Sequence, residues 1–338
     1  MGERVGVVGG GSWGTALAHL IGENGHGVLQ WMRDGKAADE LNAARRNRYL
    51  PELKISANVE ATGTLARLGD ECKLILLVVP SQSLREVAGQ LGASLTGAHL
   101  LVHGIKGLEQ GTFKRMSQIL REETCVKKIG VLSGPNLAKE VAQGQPSATV
   151  VASKYPEVID RARDVLVGPT FRVYGNDDVV GTEMGGALKN ILAIAAGMAH
   201  GLGFGDNTRA LLLTRGLTEM ARLGVHLGAK PATFSGLSGI GDLMATCFSP
   251  LSRNYQVGYR LARGEQLEAI TADMQQVAEG VKSARAVHEY AQSHDVYMPI
   301  TEGVYRILYH EVPPRAVLQQ LMDISRYVYE ADPEIRVD

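Results

Sequence analysis

A glycine-rich segment near the start of the chain is suited to binding a dinucleotide. Gly9-Gly10-Gly11-Ser12-Trp13-Gly14 has the spacing G-x-G-x-x-G and directly follows an apolar run typical of a strand. In that setting Gly9 permits a tight turn, Gly11 lets the backbone approach a pyrophosphate, and Gly14 allows a helix to pack closely on the strand. The phosphates then lie at the positive end of the helix. Such glycines also occur in ordinary turns, but the strand before and the helix after them favour nucleotide binding.

The choice between NAD and NADP depends on the end of the second predicted strand, where Arg33-Asp34 stands. An Asp there would accept a hydrogen bond from a ribose 2′-hydroxyl and favour NAD, whereas an Arg can pair with a 2′-phosphate and favour NADP. A solvated surface turn is the simpler interpretation. We interpret the pair as favouring NADP(H), with NAD(H) also possible.

Two lysines lie among apolar or glycine residues, where an ammonium group is uncommon. Lys106 follows a predicted strand, at the carboxyl edge where open sheets bind ligands. Lys189 lies in the segment 185–192, whose helix would be apolar on nearly every side and therefore buried. Burial lowers the pKa of an ammonium group toward values useful for proton transfer. A lone helical lysine more often reaches the surface, but the apolar context and the adjacent Asn190 favour a catalytic role.

Three other segments place polar groups at predicted loops or helix starts. Asp242 is as consistent with an acid that stabilises a helix N-terminus as with a catalytic partner. Ser252-Arg253-Asn254 supplies a hydroxyl, a guanidinium and an amide, which suit a phosphate dianion, although such residues are common in turns. Ser133-Gly134-Pro135 could present N–H groups to a ligand or could simply end a strand.

The composition argues against several classes of protein. The formal net charge is −1 and there is no block of Lys or Arg, so no nucleic-acid partner is expected. Three widely spaced cysteines without a C-x-x-C pair argue for a reducing compartment and against disulfides or zinc. His99 and His103 have no third ligand nearby in the sequence, so no metal is expected, and no G-x-S-x-G motif occurs. We expect neither a signal peptide nor a membrane span. Metal-free hydride transfer is the simplest chemistry left.

Strand-like and helix-like segments alternate through the first half of the chain, as in the right-handed β-α-β units of a doubly wound sheet. The predicted strands cover residues 5–8, 28–32, 74–79, 100–102, 129–132, 148–152 and 171–174. The predicted helices cover residues 15–23, 83–91, 114–122, 157–167, 183–200, 208–227, an interrupted stretch over 240–263, 283–293 and 315–329. The sequence therefore predicts an α/β, Rossmann-type dinucleotide-binding domain over residues 1–180. An all-helical substrate and catalytic domain is predicted over residues 181–338.

Together, these motifs resemble the NAD(P)-dependent glycerol-3-phosphate dehydrogenase family over nearly the whole chain. The matching stretches are GGGSWGTALA (9–18), NRYLP (47–51), LVVPS (77–81), KGLE (106–109), SGP (133–135), FRVY (171–174), GGALKNILAI (185–194), LLTRGLTEM (212–220), GIGDLMATC (239–247), SRN (252–254) and MPIT (298–301). Their order and spacing carry the resemblance more than any single stretch does. It implies a 6-phosphogluconate-dehydrogenase-like fold and the NAD(P)H-dependent reduction of dihydroxyacetone phosphate to sn-glycerol 3-phosphate.

The resemblance also implies roles for individual residues. Lys189 would transfer the proton, Lys106 would contact substrate and cofactor, and Asp242 would hold the lysine and the substrate hydroxyls, with Thr246 ordering the cluster. The substrate-binding positions are Lys106, Gly134, Asn136, Lys189, Asp242, Ser252, Arg253 and Asn254. The cofactor-binding positions are Gly9, Gly11, Ser12, Trp13, Gly14, Arg33, Tyr49, Lys106, Ala138, Arg253, Val277 and Glu279.

Two stretches depart from the family pattern. Asn136-Leu137 stands where the family usually has Ser or Thr followed by Phe, and His103-Gly104-Ile105 precedes the lysine where a Thr is common. An amide at position 136 can still form a hydrogen bond to a phosphate or a hydroxyl. The resemblance further implies a cytoplasmic homodimer whose product feeds phospholipid synthesis. Two other interpretations are a β-hydroxyacid or 6-phosphogluconate-type dehydrogenase and a non-catalytic NADPH sensor.

Overall fold

A computed structural model of the chain describes residues 4–274 and 278–322, which form two compact units. The sheet unit comprises the residues up to Ile105 together with Arg115–Val179. The helical unit comprises Lys106–Lys114 together with the described residues from Val180 onward.

The sheet unit is built on one eight-stranded sheet. Its strands are β1 (Val5–Val8), β2 (Val28–Trp31), β3 (Val59–Thr62), β4 (Leu74–Leu77), β5 (Leu100–His103), β6 (Ile129–Ser133), β7 (Ser147–Ser153) and β8 (Phe171–Asn176). They lie in the order β3-β2-β1-β4-β5-β6-β7-β8, and all neighbours are parallel except the antiparallel pair β6 and β7. The order reverses between β1 and β4, which is the kind of point where doubly wound sheets bind ligands.

The seven predicted strands are confirmed to within two residues at each end, whereas β3 was not predicted. Its four residues, Val-Glu-Ala-Thr, lack the apolar run that marks the other strands. The strand is nevertheless held by parallel pairing with β2, from Val28 opposite Val59 to Trp31 opposite Thr62. β3 lies at the edge of the sheet, and an edge strand needs less apolar surface than a central strand. Its sequence therefore lacks the apolar run from which the other strands were predicted.

Both faces of the sheet are covered by helices, so alternate side chains of each central strand enter two separate apolar layers. In β4, Leu74 and Leu76 pack in one layer, whereas Ile75 and Leu77 pack in the other. The helices are α1 (Ser12–Glu23), α2 (Gly35–Ala44), α3 (Ala66–Glu71), α4 (Leu84–Gly92), α5 (Met116–Glu123), α6 (Ala138–Ala142) and α7 (Pro156–Leu166). Of these, α2, α3 and α6 were not predicted from the sequence.

The described elements of the helical unit are all helical. They are α8 (Val179–Gly201), α9 (Asp206–His226), α10 (Pro231–Phe234), a wide turn over Leu237–Gly241, α11 (Asp242–Phe248), α12 (Arg253–Ala262), α13 (Leu267–Asp273), α14 (Glu279–Ser293), α15 (Pro299–His310) and α16 (Pro314–Met322). The predicted interrupted helix over 240–263 is broken after Phe248 by Ser249 and Pro250, and it restarts where the Ser252 side chain caps α12. The last predicted helix, over 315–329, lies partly outside the described residues.

Helix α8 runs through the core of the helical unit, as its apolar composition predicts. Two glycines bring it into backbone contact with α12. A Cβ atom on Gly197 would lie 2.0 Å from the Tyr255 carbonyl oxygen, and one on Gly258 would lie 1.9 Å from that of Ile194. Any larger residue at either position would therefore push these two helices apart.

The segment Lys106–Lys114 packs in the helical unit, although its position in the chain placed it in the predicted first domain. Leu108 joins the apolar core around α8, and the Phe113 ring stacks on Tyr290 with centroids 3.9 Å apart. These apolar contacts correct the predicted domain division, because they bind the segment to α8 and α14.

A buried carboxylate binds the backbone of the MPIT stretch (298–301). Glu219 on α9 accepts hydrogen bonds from the backbone N–H groups of Ile300 (2.6 Å) and Thr301 (3.2 Å) at the start of α15. Burial raises the pKa of Glu219 to about 7, against the opposing effect of these N–H groups. Glu219 thus holds the first turn of α15 against α9.

Candidate active site

One buried carboxylate is shared by two lysines in the helical unit. Lys189 Nζ donates a hydrogen bond to Asp242 Oδ1, and Lys106 Nζ donates one to Asp242 Oδ2 at 2.5 Å. The Asp242 side chain is 2% exposed and that of Lys189 is 7% exposed, whereas Lys106 is 18% exposed. The cluster carries two positive charges and one negative charge, so it retains a net positive charge that would attract an anion.

Burial and two neighbouring charges determine the pKa of Lys189. Removal from water lowers its pKa, the nearby Lys106 lowers it further, and Asp242 raises it, so that the pKa is about 8. At neutral pH the ammonium group is therefore protonated, but it can release its proton far more readily than an exposed lysine.

Thr246 fixes the direction of the Lys189 side chain. Its hydroxyl accepts a hydrogen bond from Lys189 Nζ at 2.5 Å and donates one to the Asp242 carbonyl oxygen at 2.7 Å. Because both bonds are made, the hydroxyl can only act as an acceptor toward the ammonium group. Asp242 and Thr246 are four residues apart on α11, so they lie on one face of that helix.

A glycine contact one helical turn earlier places Asp242 beside α8. A Cβ atom on Gly185 would lie 2.3 Å from the Ser238 carbonyl oxygen. Gly185 precedes Lys189 by four residues, and Ser238 precedes Asp242 by four. The close backbone contact and the ion pair therefore lie one above the other along α8. Asp242 is also the first residue of α11, as the interpretation of an acid at a helix N-terminus predicts, while its part in catalysis stays a prediction.

Two asparagines connect Lys106 to the start of α14. Asn190 Nδ2 donates to the Lys106 carbonyl oxygen (3.2 Å), and Asn190 Oδ1 accepts from Asn254 Nδ2 (2.9 Å). Asn254 Oδ1 in turn accepts from the backbone N–H of Gly280 (2.9 Å). Both asparagine side chains are buried.

The other predicted site residues of the helical unit lie at the starts of α12 and α14 and differ in their exposure. The Ser252 hydroxyl caps α12 by accepting from the N–H of Tyr255 at 3.3 Å, and Arg253 is exposed at the first position of that helix. Although Arg253 as a whole is exposed, burial of its guanidinium lowers the pKa of that group. The charge of Glu279, the first residue of α14, offsets only part of this effect. Val277 lies outside the described residues.

In the sheet unit, the glycine-rich loop joins β1 to α1 with the geometry that its spacing predicts. Gly9 has a φ of +137°, and a Cβ atom on Gly14 would lie 2.2 Å from the Gly9 carbonyl oxygen. A Cβ atom on Gly11, in contrast, would meet nothing within 4 Å. The loop therefore packs tightly on its own backbone but leaves open space at Gly11, where the N-terminus of α1 begins.

Two buried amides that the sequence interpretation missed hold this loop. Gln30 Nε2 donates to the Gly9 carbonyl oxygen (2.9 Å), and Asn47 Nδ2 donates to that of Gly10 (3.1 Å). Asn47 Oδ1 also accepts from the N–H of Tyr49 at 2.9 Å. Asn47 belongs to the NRYLP stretch of the family resemblance, which assigned it no role, and Gln30 had no signal in the sequence beyond its place in a buried strand.

The remaining predicted residues of the sheet unit lie at the carboxyl edge of the sheet. Trp13 and Ala138 pack against one small apolar cluster that includes Ala16, and Trp13 Nε1 is buried without a hydrogen-bond partner among the described residues. Arg33 is exposed just after β2, and the Asp34 carboxylate caps α2 by accepting from the N–H of Lys36 at 3.0 Å.

The loop after β6 carries Gly134 and Asn136. Gly134 has a φ of +149°, which favours glycine. Asn136 Nδ2 donates to the Ala148 carbonyl oxygen at 2.8 Å, while its Oδ1 is buried without a partner among the described residues. In this arrangement Asn136 would offer a ligand its Oδ1 as a hydrogen-bond acceptor.

Two features of other classes of protein are absent from the described residues. Within residues 4–274 and 278–322, no three His, Cys, Asp or Glu side chains are grouped as metal ligands would be. Among the same residues, no helix combines the length and the apolar character needed to cross a bilayer.

Comparison with known proteins gave matches over most of the chain. Residues 4–159 match a family model described as the N-terminus of NAD-dependent glycerol-3-phosphate dehydrogenase, and residues 178–319 match the corresponding C-terminus. The chain is 47% identical over 335 residues to glycerol-3-phosphate dehydrogenase (NAD(P)+) of Pseudomonas fluorescens, covering 99% of this chain and 96% of the relative. It is 44% identical over 325 residues to that of Halothermothrix orenii, covering 95% of each.

A solved structure shares the same architecture. The crystal structure of glycerol-3-phosphate dehydrogenase from Coxiella burnetii superposes with a TM-score of 0.91 at 37% identity, covering 95% of this chain and 99% of that one. The similarity therefore extends over both units.

Replacing Asp242 with Asn should destabilise the protein, because two lysines would lose their shared counter-charge. We expect the free energy of unfolding at pH 7 to fall by about 3–5 kcal/mol, as when one partner of a buried ion pair is removed. Guanidinium chloride unfolding measures this change. Asp206→Asn is the matched control, since that side chain is 96% exposed and its loss should have little effect. Equal stability of the two variants would contradict the structural role of the shared carboxylate.

Proposed function

This chain belongs to the NAD-dependent glycerol-3-phosphate dehydrogenase family, and from that membership we propose that it catalyses the reversible NAD(P)H-dependent reduction of dihydroxyacetone phosphate to sn-glycerol 3-phosphate. The observation that carries the proposal is the buried Lys189, whose pKa is about 8 and which shares Asp242 with Lys106. A ketone is reduced by adding a hydride to its carbon and a proton to its oxygen. Lys189 has the properties of the proton donor.

The sheet unit fits a dinucleotide. The open space at Gly11 and the helix start beside it suit a pyrophosphate, and Trp13 Nε1, which has no partner within the described part of the chain, suits a flanking group. The proposed contacts are Gly9, Gly11, Ser12, Trp13, Gly14, Arg33, Tyr49 and Ala138, with Lys106, Arg253, Val277 and Glu279 from the rest of the chain. When bound, a reduced nicotinamide supplies the hydride.

The lysine cluster supplies the proton and stabilises the developing negative charge. Lys189 Nζ gives its proton to the carbonyl oxygen as that oxygen gains charge, and Asp242 together with Thr246 keeps the ammonium group oriented. The ammonium group of Lys106 lowers the energy of the alkoxide-like transition state. In the reverse direction the neutral Lys189 amine accepts the hydroxyl proton.

The phosphate of the substrate suits the residues at the start of α12. Arg253 lies at the exposed start of α12, where its guanidinium can pair with a phosphate dianion, and Ser252 adds a hydroxyl. The family resemblance adds Asn254, Gly134 and Asn136 as substrate contacts. For Asn136 we propose a contact with a substrate hydroxyl, because its Oδ1 has no partner among the described residues and can accept from one.

The two other interpretations are less well supported. The family matches over residues 4–159 and 178–319 disfavour a β-hydroxyacid or 6-phosphogluconate-type dehydrogenase. A sensor of NADPH would need the glycine loop but not a buried proton donor, so the Lys189–Asp242–Lys106 cluster favours an enzyme. We also propose a cytoplasmic homodimer whose product feeds glycerophospholipid synthesis. Its mass in solution tests the dimer.

Lys189→Ala should lower kcat for dihydroxyacetone phosphate reduction by at least about a hundredfold, the scale expected for loss of a general acid. Binding of NADPH, followed by fluorescence titration, should remain nearly unchanged. Lys154→Ala removes an exposed lysine and should leave kcat as in the wild-type protein. Near-normal turnover of Lys189→Ala would overturn the assigned role.

The two directions of the reaction should have opposite pH dependence. Reduction needs the protonated ammonium, so its kcat should fall as the pH rises through the Lys189 pKa of about 8. Oxidation of glycerol 3-phosphate needs the neutral amine, so its kcat should rise through the same range. Steady-state rates from pH 6.5 to 10 measure both limbs, with circular dichroism at each pH as the control for folding. Limbs separated by more than about one pH unit would argue that different groups act in the two directions.

We propose that NADP(H) is preferred and that NAD(H) is also used. The support is the exposed Arg33, together with an Asp34 carboxylate already engaged in capping α2. Dihydroxyacetone phosphate should cause oxidation of NADPH faster than of NADH. Arg33→Ala should raise KM for NADPH about tenfold or more, as expected for a lost charge-assisted hydrogen bond, and should change KM for NADH little. Lys36→Ala, an exposed lysine on α2, is the control; equal effects of Arg33→Ala on both cofactors would contradict the preference.

A further inference from the structure

We infer that the wide turn over Leu237–Gly241 positions Asp242 for the proton donor, and that Gly239 is the positioning residue on which the shape of this turn depends. The inference rests on the proposed function insofar as Asp242 orients Lys189 for proton transfer. The turn joins α10 to α11, and Asp242 follows it directly as the first residue of α11.

The hydrogen bonds of the turn span one residue more than those of an α-helix. The backbone N–H of Gly241 donates to the Gly236 carbonyl oxygen at 3.2 Å, and that of Asp242 donates to the Leu237 carbonyl oxygen. Both bonds join residues five apart, whereas α-helical bonds join residues four apart. Each residue of an α-helix turns the chain by about 100°, so loss of the extra residue would turn α11 by about that angle relative to the segment before it. Asp242 would then no longer face Lys189.

Gly239 allows the turn to lie directly on the end of α10. A Cβ atom on Gly239 would lie 2.1 Å from the Phe234 carbonyl oxygen and 2.4 Å from the Phe234 Cα atom. Because both are backbone atoms, no change of rotamer could make room for a larger residue.

Phe234 is itself fixed on α9. Its ring is fully buried, and a Cβ atom on Gly224 of α9 would lie 2.1 Å from Phe234 Cζ. The neighbouring residue of the turn, Ser238, makes the close backbone contact with Gly185 of α8. The turn is therefore held on both α8 and α9. Gly239 and Phe234 have no side-chain group that could transfer a proton or bind a phosphate, so they affect the reaction only through the residues that they position.

The position of Asp242 should be measurable through the pKa of Lys189. Asp242 raises this pKa, whereas burial and the charge of Lys106 lower it. Cys247 of α11 is a further titratable group near Lys189, but burial raises its pKa to about 12, so the thiol stays neutral below pH 10. Displacement of the Asp242 carboxylate from Lys189 should therefore lower the Lys189 pKa. A loss of stability that left the two groups in contact would not change it.

Gly239→Ala should lower kcat for dihydroxyacetone phosphate reduction at least about tenfold, because a small displacement of a catalytic group is costly. The pH at which this kcat falls should also move from about 8 to about 7 or below. Rates between pH 5.5 and 10 measure both changes. Gly236→Ala, at the start of the same turn, is the matched control and should change neither. Its Cβ atom would lie 3.4 Å from the Thr233 carbonyl oxygen, which is an ordinary contact, and its φ of −96° suits alanine. A lower kcat with an unchanged pH dependence would overturn the inference.

An NMR titration of protein labelled with isotopes in its lysines measures the Lys189 pKa without turnover. The Lys189 signal, identified by its absence from Lys189→Ala, should titrate near pH 8 in the wild-type protein and at least about one pH unit lower in Gly239→Ala. Phe234→Leu leaves part of the space at Gly224 empty and should shift the signal in the same direction, which keeps the test available if Gly239→Ala does not fold. An unchanged Lys189 pKa in the folded variants would contradict the inference. Absence of turnover by the wild-type protein would instead count against the proposed function, and the titration would still decide the role of the turn.

Discussion

The sharing of Asp242 between Lys189 and Lys106 is the interaction on which the helical unit depends. An ammonium group buried beside α8 would be strongly unfavourable without a nearby carboxylate. One carboxylate with two oxygens can accept from both lysines, and this leaves the cluster with a net positive charge. The chemistry proposed here uses that imbalance, since an anionic substrate and a developing alkoxide both gain from it. Burial, together with the charge of Lys106, lowers the Lys189 pKa to about 8 against the opposing effect of Asp242.

The helical unit holds this cluster by bringing backbones together where glycine leaves room. Gly185 allows the turn before α11 to lie on α8, and Gly280 allows α14 to lie on the same helix near Asn190. Gly197 and Gly258 bring α12 into contact with α8 further along. Since packed helices are not freely deformable, these contacts fix the positions of Asp242, Asn254 and Lys189 relative to one another.

In the sheet unit, the loop proposed to bind the dinucleotide is held by side-chain amides as well as by close glycine contacts. Its glycines turn the chain and open a space at the helix start, but buried amides from β2 and from the NRYLP stretch hold the carbonyl groups of the loop. A phosphate group can be bound by backbone N–H groups only if that backbone is already ordered. Gln30 and Asn47 provide this order, although neither belongs to the G-x-G-x-x-G pattern itself.

The sequence by itself determined the fold class, the strands with apolar runs and the glycine-rich loop. It also indicated Lys106, Lys189 and Asp242 as candidate site residues. Apolar periodicity and local turn chemistry are properties of neighbouring residues, so a sequence records them directly. It did not reveal β3, whose pairing with β2 supplies what its composition lacks, or the packing of Lys106–Lys114 with the helical unit. Only the tertiary structure decided that Asp242 meets both lysines and that two asparagines join Lys106 to α14. These contacts join residues 26 to 136 positions apart in the chain, and only the packing of the helices brings them within hydrogen-bond distance.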